Sequence, residues 1–156
     1  EMTVRDELLA HLNEQLTIAA RAHQGSIEGA THEEARPEND KDTRALEQSY
    51  LARGQAQRIV ELKESSAKVQ AMPILPHAAD STCTVGSVVQ LCDDNGQVTV
   101  YWIAAAGGGT RLAKGSVQVL TPQSPLGRAL MGCAPDDDVQ ITLAGRPRTL
   151  SITSLE

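Results

Sequence analysis

At 156 residues and a formal net charge of −6, the chain can hold one compact domain or two small units, and its charge argues against wholesale nucleic-acid binding. Hydrophobic residues make up 40% of it, yet its only aromatics are Tyr50, Tyr101 and Trp102, so a core must be aliphatic and small, or coexist with a part that has no globular core. Cys83, Cys92 and Cys133 show no Cys-x-x-Cys or Cys/His ligand spacing, and their odd number speaks against a disulfide framework, which leaves reduced thiols in a cytoplasmic protein as the expectation.

No apolar run approaches about 18 residues, so no membrane span is expected, and no basic, apolar leader is visible. The chain opens at Glu1, so a short preceding piece is expected. Residues 1–72 carry 13 acidic against 9 basic residues, contain Pro37 as their one proline, and are rich in helix formers. Val4, Leu8, Leu12, Leu16 (or Gln15), Ala19 and Ala22 recur at three- and four-residue steps, which predicts one apolar stripe on a helix. Ala45, Ala52 and Ile59, continued by Leu62 and Val69, predict a second stripe facing the first. The pattern predicts an antiparallel helical hairpin over 1–72, each arm about 45 Å long. Its bend near 33–42 gathers Glu33, Glu34, Glu38, Asp40 and Asp42 around Pro37. Gly25 and Gly29 weaken the distal part of the first arm, and Thr31-His32-Glu33-Glu34 fits a capping box that would start the second helix early.

Residues 73–79, with two prolines, read as a linker. From residue 80 the pattern shortens. Gly86–Leu91 and Gln97–Ile103 are strand-like runs joined by Asp93-Asp94-Asn95-Gly96, a hairpin-turn signal. Gly107–Gly109 marks a bend before Thr110–Leu112, and Val117–Leu120 predicts another strand. Ser124 as N-cap, Pro125 at the first helical position and Gly132 as stop predict a helix of about two turns. Val139–Leu143 and Thr149–Thr153 predict a final pair of strands around Ala144-Gly145-Arg146-Pro147. The fold class expected is therefore α+β: a coiled-coil hairpin, then a small antiparallel sheet domain over 80–156 with one short helix.

The segment Ser124-Pro125-Leu126-Gly127-Arg128-Ala129-Leu130-Met131-Gly132, followed by Asp136-Asp137-Asp138-Val139, resembles the C-terminal signature of the bacterial transcript-cleavage factors GreA and GreB. The stretch Val85–Ile103 looks like the first hairpin of that family, and Arg36, Glu38 and Asn39 match its coiled-coil tip. The resemblance implies an FKBP-like C-terminal domain that docks on RNA polymerase at its secondary channel, with the hairpin tip reaching the active centre. It implies tip carboxylates, Glu38 first and Glu34 and Asp40 beside it, that help hold the polymerase's Mg²⁺ and stimulate cleavage of backtracked RNA. Ser124, Pro125, Leu126 and Arg128 are the implied polymerase contacts, Arg44 and Arg53 the implied contacts to RNA or channel walls. The resemblance further implies a cytoplasmic monomer with no cofactor of its own, an accessory to polymerase rather than an enzyme alone. One departure stands out: Ala35 occupies the place of the family's leading tip aspartate, which favours a non-cleaving channel regulator as the alternative. A prolyl isomerase or a coiled-coil adaptor are the rival classes, the former poorly supplied with aromatics.

Overall fold

The computed structural model describes residues 2–34, 42–74 and 81–156, with the side chains of 30–34 and 42–45 left out of the description. Two helices come first, α1 over Val4–Glu34 and α2 over Asp42–Gln70. Six strands and one short helix follow: β1 Val88–Cys92, β2 Val98–Ile103, β3 Arg111–Leu112, β4 Val117–Leu120, α3 Pro125–Leu130, β5 Asp138–Leu143 and β6 Arg146–Leu155. By its contacts the chain forms two compact units, residues 10–67 and residues 1–9 with 68–156.

In the helical unit, the seam runs through half-buried or buried Leu12, Leu16 and Ala19 on α1, and Ala52, Ile59 and Leu62 on α2. Ala22 is exposed; half-buried His23 and buried Ser26 carry the seam onward, because steps of four and three hold a 3.6-residue helix on one face better than a repeated three. The arms approach closely at Gly29, where an added Cβ would lie 3.1 Å from Gln48 Oε1. The capping-box start at Thr31 is corrected: Thr31–Glu34 form the last turn of α1, and α2 begins at Asp42. A capping box gains at most two hydrogen bonds, and the helical propensity of the preceding run outweighs it.

In the second unit the strand order is β3-β4-β2-β1-β6-β5. The expected all-antiparallel sheet is corrected at one place, since β2 and β4 are parallel, with Val100 opposite Val117 and Ile103 opposite Leu120. Two glycine-bearing turns make this possible. Gly107 and Gly109, at φ +82° and +88°, send the chain to the sheet edge for β3. Ala113, Lys114 and Gly115, at φ 50°, 57° and 92°, then reverse it so that β4 slots between β3 and β2. Glu7 accepts the Ala113 N–H at 2.9 and 3.0 Å through its two carboxylate oxygens, holding the strained turn against the first turns of α1. Leu8, fully buried, packs on Gly107, and the Met72 sulfur accepts the Ala105 N–H at 3.4 Å.

The Asp93–Gly96 turn forms as expected. Asp93 Oδ1 accepts from Asn95 N at 2.9 Å and Gln97 N at 2.8 Å, and Gly96 supplies φ +77°. The last hairpin differs from expectation, because its turn is only Ala144-Gly145 and Arg146 and Pro147 already belong to β6. Here β6 pairs with β5 alone, its pairing to β1 beginning at Ser151, and a strand open on one side tolerates proline.

Candidate functional site

Strand alternation decides what the sheet presents. The pairs Val89–Tyr101 and Leu91–Thr99, Leu91–Ile152, Val139–Leu150 and Ile141–Arg148 place all these side chains on one face. Helix α3 packs there: Leu130 is fully buried and Leu126, Ala129 and Met131 lie against the core of Val89, Leu91, Val139, Leu150 and Ile152. At six residues α3 is only about 9 Å long, while a six-stranded sheet is roughly 24 Å wide. Part of the apolar face therefore stays open as a groove of about 150 Å³. From β1 and β2 come Leu91, Thr99 and Tyr101, from α3 Leu126, and from β5 and β6 Ile141, Leu150 and Arg148. Burial pushes the Tyr101 phenol above its usual range, so it stays protonated at neutral pH and offers a hydroxyl within an apolar lining. Tyr101 is the one aromatic lining the groove; Trp102 is buried elsewhere, so the aromatic pocket expected of a prolyl isomerase is not formed here.

The implied polymerase contacts divide by role. Ser124 caps α3, accepting from Gly127 N at 3.0 Å and donating to Thr121 O at 2.8 Å, so its side chain is committed to the fold. Gly127 is required by packing, for an added Cβ would lie 1.9 Å from Thr121 O. Pro125 and Arg128 are exposed on the same helix, and Leu126 lines the groove. The structure thus leaves Pro125 and Arg128 accessible and turns Leu126 into the groove, two positions along a helix lying about 200° apart. Sequence reasoning misses Ile141 and Arg148. Their signal was the alternation Arg148, Leu150, Ile152, which becomes visible only once β6 is known to start at Arg146.

Glu38 and Asp40 lie outside the described residues, as do the side chains of Glu34, at the end of α1, and Arg44, in the first turn of α2. Arg53 is exposed on α2 with its guanidinium 5.9 Å from the Tyr50 ring centroid, while Arg58 pairs with Glu61 at 3.7 Å. Among the described residues no group of three or more His, Cys, Asp or Glu is arranged to hold a metal ion. Two acids of the Asp136–Asp138 run are engaged within the fold instead: Asp137 accepts from the backbone Ala134 N at 2.7 Å and Asp138 from the Ser151 Oγ hydroxyl at 2.6 Å. The described cysteines are free thiols. No described helix is long and apolar enough to cross a membrane.

Comparison with known families gives a match of residues 78–156 to the family described as transcription elongation factor, GreA/GreB, C-terminal domain. Comparison with curated protein sequences gives no match. Among solved structures the chain is similar to the GreA factor homolog 1 (Gfh1) of Thermus thermophilus, at 16% identity and TM-score 0.42, covering 97% of this chain and 94% of that one. It is also similar to Thermus aquaticus Gfh1, at 17% identity and TM-score 0.44 over 94% and 92% of the two chains. A GreA/GreB elongation factor from Nitrosomonas europaea is similar at 13% identity and TM-score 0.41, over 60% of this chain and 78% of that one.

Proposed function

Because this chain belongs to the GreA/GreB family of transcription elongation factors, we propose that it binds bacterial RNA polymerase at the secondary channel and stimulates cleavage of backtracked transcripts. The observation that carries the reading is the open groove on the sheet domain. It lies inside the segment that the family matches, it is lined by Leu91, Leu126, Ile141 and Leu150, and it is the kind of surface that seats a protruding side chain of a partner. Filling it with one bulky apolar side chain contributes about 1.5–3 kcal/mol.

Docking by the sheet domain leaves the hairpin tip to do the chemistry. Glu38, with Glu34 and Asp40 near it in sequence, offers an all-oxygen donor set of the kind that suits Mg²⁺, which takes one or two protein carboxylates and keeps several waters. A pair of magnesium ions at such a place would stabilise the attacking and leaving oxygens of phosphodiester hydrolysis. Glu38 lends one carboxylate to an ion the polymerase already holds, and a neighbouring acid orients the attacking water. Arg44 and Arg53 contact the RNA or the channel wall. The cleavage activity is polymerase's own, the chain acts on it as a cytoplasmic monomer, and it is not an enzyme alone. Ala35 at the family's aspartate position favours a second reading, in which the chain occupies the channel and regulates without cleaving.

Binding comes first in either reading, so the first test is association of the full chain with core polymerase, followed by competition with a known secondary-channel ligand. Saturable, competed binding is expected. Absence of binding would overturn both readings.

A further inference from the structure

The groove contains one residue that its apolar surroundings do not explain. On β6 the residues facing α3 alternate as Ile152, Leu150, Arg148, and Arg148 stands directly across from Ile141 of β5. A charged side chain thus occupies a position where the pleat and the neighbours both call for an aliphatic one. Its stem covers part of the apolar face, as long cationic side chains do, but a lysine or a methionine would serve that purpose equally. Inward charges also guard sheet edges against mispairing, and β6 is open on one side at Arg148, its pairing to β1 beginning at Ser151; a charge of either sign would meet that role, and it leaves the groove beside Arg148 unexplained. Among the described residues the Arg148 guanidinium makes no ion pair and no hydrogen bond. Asp93, the acid that also lines the groove, has Oδ1 engaged by Asn95 N and Gln97 N in its own turn.

From this placement we infer that Arg148 is a specificity-determining residue of the groove: it selects a polymerase segment in which a bulky apolar side chain is flanked by a carboxylate. The apolar side chain fills the space of about 150 Å³ beside Leu126 and Ile141, and a dry cavity of about that size accepts a benzene-sized group. The carboxylate pairs with Arg148, whose planar fork binds a carboxylate through two parallel hydrogen bonds. Charge complementarity argues for an acidic partner segment, because a partner seated in the groove covers the exposed Arg148 cation and a carboxylate beside it offsets the hydration lost. The inference rests on the polymerase reading and names the chemistry of the contact within it.

The test measures binding of the full chain to core polymerase at two salt concentrations, for the wild type and for R148K, R148A and R148E. Arg148 is exposed, so the variants are expected to fold, and their thermal melts check this. R148E should weaken binding about tenfold or more and R148A about three- to tenfold, with a shallower salt dependence in both and partial rescue by R148K. With R148K, a zero-length carbodiimide reagent should join the lysine amine to a polymerase carboxylate, and the cross-linked residue should lie within one helical turn of an exposed apolar one. If the wild type binds polymerase and the variants bind equally well, the inference falls and the polymerase reading stands. It falls as well if R148E weakens binding without altering the salt dependence, or if the groove proves to hold a second copy of the chain, seen as a concentration-dependent dimer that R148E abolishes. If the wild type does not bind polymerase, the reading beneath it fails.

Discussion

The sharpest constraints sit on single residues around α3. Gly127 has no room for a side chain, and a methyl group there would press within 1.9 Å of the Thr121 carbonyl, a backbone atom that cannot swing aside. Gly127→Ala is therefore expected to lower stability by about 1–3 kcal/mol, read by chemical denaturation, and to loosen the α3 wall of the groove. Nearby, Cys83 is buried in the core and donates its N–H to Cys133 O at 2.7 Å. Burial, and secondarily the neighbouring Cys133, push its thiol from 9.0 up to about 11. An acid whose pKa is raised on folding stays protonated in the native state while the unfolded chain ionises, so its contribution is complete below about 9 and is lost as pH rises to about 11. Unfolding free energy should fall across that window in the wild type and fall less in Cys83→Val.

At the scale of elements, local signals in the sequence proved sufficient and non-local ones did not. Ser124-Pro125 and Gly132 bound α3 as their capping chemistry predicts, and Asp93 with Gly96 closes the first sheet hairpin. The parallel pairing of β2 with β4 had no such signal, because it depends on where the Ala113–Gly115 turn delivers the chain, not on the strands' own composition. Arg148 was hidden for a related reason: with Arg146-Pro147 taken as turn, its alternation with Leu150 and Ile152 was cut off. On the helices, the predicted apolar seam holds through Leu8, Leu12 and Leu16 and becomes polar at His23 and Gln55, where His23 Nδ1 and Gln55 Oε1 are buried without a hydrogen-bond partner among the described residues. The glycines of the hairpin are not all alike. A Cβ added at Gly25 or Gly54 meets nothing within 4 Å, so Gly25→Ala and Gly54→Ala should each stabilise the helical unit by about 0.5–1 kcal/mol through helix propensity, measured by denaturation.

For the whole molecule, the proposed docking role rests on the family match over 78–156 and the open groove within it, and the proposed cleavage role rests on the acidic bend at 33–42. The family was legible beforehand in the Ser124–Gly132 signature, and the break between α1 and α2 in the charged, proline-bearing stretch at 33–42. The tip acids themselves, Glu38 and Asp40, lie outside the described residues, and with Ala35 in the sequence a neighbouring acid would have to serve in place of the aspartate that the resemblance implies. A shift of one position on a helix rotates a side chain by about 100°, enough to turn a substitute acid away from the ion.

Cleavage of RNA in stalled, backtracked elongation complexes, with saturating wild type or Glu38→Ala, tests the central claim most directly. The account predicts faster cleavage with the wild type, reduced by about 10²-fold or more in the variant, as expected for removal of a group that acts only in the transition state. Wild-type protein that occupies the channel yet leaves cleavage unchanged or slower would contradict carboxylate donation and leave a regulator that blocks the channel.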